Sequence, residues 1–77
     1  MKEEFRKQML ETFIPSVERM IEKEKEHLEF LRKSRRKMMD RKFMVNLSNV
    51  DQFISNSEAN LAHYQLRLKQ YKEFAAK

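Results

Sequence analysis

The 77 residues contain no glycine, no cysteine and no tryptophan, and proline occurs once, at position 15. Zero glycine removes the usual means of making tight β-turns, phosphate-cradling loops and left-handed backbone positions. Zero cysteine excludes a disulfide framework, a thiolate zinc site and a cysteine nucleophile. Apolar runs reach only three residues, as at Phe43–Val45, far below the roughly 20 that cross a bilayer. The amino-terminal stretch Met1-Lys2-Glu3-Glu4-Phe5 carries charge where a secretory signal carries an apolar core. The expected location is therefore the cytoplasm, with no membrane partner.

What remains is a highly charged, basic chain. Charged residues make up 38% and apolar residues 40% of the sequence, the formal charge is +5 and the pI about 9.7. Such a charge density is compatible with disorder, but the apolar residues are periodic. Leu10, Ile14, Val17, Ile21, Glu24, Leu28, Leu31, Arg35 and Met38 alternate steps of four and three, the spacing of one helix face or a coiled-coil seam. Val50, Ile54, Ser57, Leu61, Tyr64, Leu68, Tyr71 and Ala75 repeat that alternation. The intervening residues are rich in Glu, Lys, Arg, Gln, Leu and Met, all good helix formers.

These patterns predict an all-α single domain, an antiparallel helical hairpin of two long arms with a short N-terminal helix. Proline inside a helix removes a hydrogen bond and clashes with the preceding turn, but is tolerated in the first turn. Pro15 thus divides a short helix over about 2–13 from a long helix over 15–41; one long helix kinked at Pro15 is the alternative. Residues 42–48 form the connection, and the last helix covers about 49–76. Ser48 is the expected N-cap, with Asp51 three residues on, and Asn46 and Asn49 compete for that role. Each arm would be about 40 Å long at 1.5 Å per residue.

A hairpin this small buries one stripe per helix, a thin core for a chain below about 80 residues. Near the open end the stripes broaden: Phe5, Met9, Phe13 and Met20 add a second row on the first arm, and Ala59, Ala62, Leu66 and Phe74 on the last. A broad apolar stripe needs more than one neighbour. The short N-terminal helix is one such neighbour, and a second chain forming a two-fold four-helix bundle is another. The homodimer is the preferred expectation. Glu24 and Arg35 interrupt the first seam, as residues that set register or oligomeric state do.

Charge is concentrated. Residues 1–31 carry a net −2, residues 43–77 a net +1, and the eleven residues 32–42 a net +6. A turn near residue 45 would set residues 32–41 against 49–58, which offer only Asp51 and Glu58 as acids. Uncompensated cationic charge repels itself and suits an anionic partner, most commonly nucleic-acid phosphate. Arg32, Lys33, Arg36, Lys37, Arg41 and Lys42 are the candidate contacts; a merely solvated basic face is the competing explanation, and Arg35 belongs either to the seam or to this cluster. The connection is also unusually apolar, with Met38, Met39, Phe43, Met44, Val45 and Leu47. These residues either plug the end of the bundle or expose an adaptable contact patch through Met39, Phe43 and Met44. A membrane-surface segment fits less well, because nothing else in the chain would anchor it.

Signals for catalysis are weak. No serine sits in a nucleophile-elbow context. Glu24 and His27 form a Glu-x-x-His pair, and His63 would face His27 across the hairpin. The last arm adds only Glu58, too few ligands for the carboxylate-rich metal sites of helical bundles. Glu24 is more simply a seam carboxylate meeting Tyr64, Arg67 or Tyr71, and the two tyrosines are core residues with hydroxyls at the rim. Neither a catalytic residue nor a cofactor is expected. No helix-turn-helix, zinc-finger or basic-zipper pattern occurs. The reading is a small non-enzymatic binding protein whose basic tip contacts nucleic acid or a nucleic-acid-bound complex. The alternative is a protein-binding inhibitor or adaptor, of the kind mobile elements encode, acting through apolar helix or tip surfaces. A purely structural assembly subunit is the third.

Overall fold

The computed structural model describes residues 3–40 and 47–76. Helix α1 (Glu3–Gln8) runs through a π-helical turn (Met9–Phe13) into helix α2 (Ile14–Asp40), and helix α3 (Ser48–Ala76) packs back along α2. The architecture is an all-α antiparallel hairpin, drawn out to 59 × 15 × 13 Å. The expected connection, residues 42–48, falls largely on 41–46, outside the described residues.

Both seams are where the periodicity puts them, with one instructive exception. Ile14, Val17, Ile21, Leu28 and Leu31 of α2 are buried, and so are Val50, Ser57 and Ala75 of α3. Ile54, Leu61, Tyr64, Leu68 and Tyr71 are half-buried between them. Leu10, expected on the first seam, is instead 50% exposed, and Met9 is buried at 7%. The cause is Pro15. It has no N–H to give to the carbonyl four residues back, and its ring crowds that carbonyl. The chain answers by widening the turn before it: the Ile14 N–H bonds to the Met9 carbonyl, five residues back. A π turn holds one extra residue, so the position one turn before Ile14 falls to Met9. The expected break between a short helix over 2–13 and a long one over 15–41 is therefore replaced by a continuous rod with a widened turn.

Met9, Ile14 and Ala75 form a buried cluster at the open end, with Leu68 and Tyr71 packed on it. Phe5 meets Phe74 edge-on at a centroid distance of 5.9 Å, and Phe13 tilts against Tyr71 at 6.4 Å. At the other end, the first helical bond of α3 runs from the Asp51 N–H to the Leu47 carbonyl, 2.9 Å. That bond puts Ser48 inside the first turn of α3, one residue past the cap position expected for it, because the residue whose carbonyl accepts the first helical bond is the cap.

The candidate basic interface at the closed end

Helix α2 carries the basic cluster out to the closed end of the hairpin. Arg32, Lys33, Arg36 and Lys37 are all exposed. Positions 32, 33, 36 and 37 recur on one side of a helix because three- and four-residue steps return to the same face. Lys33, Arg36 and Lys37, with Asp40, line one shallow, open depression. Lys33 is held by Glu29 one turn earlier at 3.1 Å, both side chains well exposed, so the pair is screened and weak. Arg32, Arg36 and Lys37 make no ion pair among the described residues. Arg41 and Lys42 lie outside the described residues, as do Phe43 and Met44. Met39 is exposed.

Arg35 is not part of this free cluster. Its Nε donates to Asp51 Oδ1 of α3 at 2.6 Å, and its Nη1 approaches the Met39 sulfur at 3.1 Å. The guanidinium is thereby turned toward the seam and the opposite arm. The rest of the cluster keeps its charge. Two backbone effects act on it. Cations in the last turns of α2 sit at the negative end of that helix's dipole, which offsets part of their mutual repulsion. Helix α3 starts at the same end of the hairpin with its positive pole, and Asp51 in its first turn compensates that pole.

The Arg35–Asp51 pair at one end and the Phe13–Tyr71 contact at the other define the register of the arms. It differs by about four residues from that of a turn near residue 45. His63 comes level with Glu22 and Lys23 rather than with His27, so the histidine pair expected across the hairpin is not assembled. His63 accepts a hydrogen bond at Nε2 from Arg67 at 3.1 Å, since an arginine can only donate, and tilts against Tyr64. Arg67 is thus engaged on its own helix. Glu24, half-buried at the seam, makes no ion pair or side-chain hydrogen bond among the described residues, in place of the expected contact with Tyr64, Arg67 or Tyr71. Among the described residues no three His, Asp or Glu side chains converge as a metal site would require.

Two features escaped the reading of the sequence. Phe30 on α2 and Phe53 on α3 are exposed aromatic residues, Phe30 the more so at 65%. Both lie off the seams in the heptad count, which is the signal that distinguishes them from core phenylalanines. The second is the depth of Ser57: its place on the seam was expected, but it is the most deeply buried residue described, and its hydroxyl finds no hydrogen-bond partner there.

No described helix is long and apolar enough to cross a membrane. The chain matches no protein-family model, no curated protein and no solved structure.

Proposed function

We propose that the protein is a small, non-enzymatic, cytoplasmic binding protein whose closed end contacts nucleic acid, or a complex that presents nucleic acid, through phosphate. The observation that carries this reading is the exposed set Arg32, Arg36 and Lys37, joined by Lys33, at the end of a rod whose remaining length is nearly charge-balanced. Helical side chains of this length reach phosphates spaced along a strand without reading base edges, so the contact is expected to be weakly sequence-specific. Four phosphate contacts would lower the affinity by about 50- to 150-fold between 50 and 200 mM salt. The test is filter or anisotropy titration of the full chain with single- and double-stranded oligonucleotides across that salt range. Arg36→Glu with Lys37→Glu should abolish binding while the helical circular dichroism is kept. Binding that ignores salt, or survives the double reversal, removes the proposal.

The adaptor reading keeps one specific support: Met39 and Phe53 are exposed large apolar side chains toward the same end. Under that reading Met39→Ser with Phe53→Ser would abolish capture of a protein partner and leave oligonucleotide binding intact.

A further inference from the structure

The chain exposes 6381 Å², whereas a compact monomer of 9.5 kDa exposes about 5,000 Å². Its radius of gyration is 17.6 Å, against about 11–12 Å for a globular chain of this length. The surplus surface exceeds the roughly 800 Å² that each partner contributes to a standard stable interface. It also has a focus. At the open end Phe5, Phe13, Met20 and Phe74 remain between 37% and 44% exposed. The ring contacts Phe5–Phe74 and Phe13–Tyr71 join both arms into one aromatic face, and Met20 extends it, seven residues beyond Phe13 on the same side of the rod. Aromatic residues and methionine are the types enriched where interfaces are buried.

Charge selects the occupant. The open end, residues 3–20 and 66–76, holds five acidic and six basic side chains and so offers no repulsion to a copy of itself. The closed end carries the net +6 of residues 32–42, which two copies must keep apart. An antiparallel overlap of open ends satisfies both conditions at once. We infer that the protein is a two-fold dimer in which the aromatic faces around Phe13 and Phe74 pack on each other. The overlap forms a short four-helix bundle, and the two basic tips project at opposite ends. The dimer stands on the shape, the apolar face and the charge distribution. Its consequence rests on the proposed function: two tips facing apart make a bivalent rod, able to bridge two nucleic-acid segments and gain avidity from the second contact.

The arrangement is tested by sedimentation velocity and small-angle scattering of the full chain at about 10–100 µM, the working range of weak to moderate dimers. The expected result is a dimer with a largest dimension of about 90–100 Å, from a one-chain length of 59 Å and an overlap of about 25 Å at 1.5 Å per residue. Phe13→Asp and Phe74→Asp, separately, should give helical monomers, and Phe30→Ser, away from the face, should leave the dimer intact. Arg36→Glu with Lys37→Glu should still dimerise, so loss of nucleic-acid binding and loss of the dimer are read independently. A monomer throughout this range, a dimer no longer than about 60 Å, or a dimer untouched by both Phe substitutions overturns the inference.

Discussion

Arg35 and Asp51 close the hairpin near its tip, Nε to Oδ1 at 2.6 Å, and this bond takes one guanidinium out of the exposed basic set. Arg35 stands among seven cations within eleven residues, and among the described ones it is the one tied to the opposite arm. The pair is about a third to a half exposed, so its net worth is small, about 0.2–1 kcal/mol. Its structural role is to mark the register, since a slip of one turn would leave Asp51 without that partner.

Asp51→Asn should therefore cost little stability and raise anion affinity. The substitution removes one acid from the tip and releases the Arg35 charge. Thermal denaturation is expected to move by no more than about 1 kcal/mol, and the salt slope of oligonucleotide binding should steepen by roughly one contact. A weakened affinity with unchanged fold would show that Asp51 takes part in binding rather than restraining it.

Ser57 is 2% exposed, and its hydroxyl has no hydrogen-bond partner in the described structure. The register of the arms sets it level with Leu28. A buried hydroxyl left unpaired loses its hydration with nothing in return, a cost of about 1–3 kcal/mol. Ser57→Ala keeps the close approach of the helices and should raise stability by about 1 kcal/mol, or roughly 4–8 °C in Tm for a domain of this size. Ser57→Leu should lower it, because the added volume has no space at the seam. Paired melting curves of the two variants check both directions.

The π turn should be removable. Deleting Thr12 restores a four-residue step from Met9 to Ile14, but it forces Pro15 into a regular α-helix at a cost of about 3 kcal/mol. Combining the deletion with Pro15→Ala lifts that clash, and the Tm should return to or exceed that of the native chain. Deleting Lys25 instead, inside regular α2, rotates every seam residue before it by about 100° and should unfold the hairpin. Circular dichroism melts of the three variants decide the matter; an equally damaged double variant would mean that the widened turn is needed for more than accommodating proline.

How far the fold was legible follows from periodicity. On α3 every seam residue from Val50 to Ala75 was readable, because nothing interrupts the helical period between Ser48 and Ala76. On the first arm the same count misassigned Leu10, since a π turn inserts a residue that no apolar pattern announces; only Pro15 hinted at an irregularity. The basic cluster at Arg32, Lys33, Arg36 and Lys37 was legible from charge alone. The partner of Arg35 was not, because Asp51 is sixteen residues away across a connection. The same shift in register separated His27 from His63 and set Ser57 level with Leu28.

The amino-acid sequence by itself determined the helices, their seams and the place of the charge. Zero glycine, strong helix formers and a three-four alternation are local properties, and net charge is a count along the chain. The tertiary structure decided which side chains meet across the arms: Met9 rather than Leu10 in the core, Arg35 turned to Asp51, Phe13 on Tyr71, and an aromatic face left open at one end. Those outcomes depend on the phase of one helix against the other. A single widened turn or a four-residue change in register alters that phase without altering the pattern along either arm.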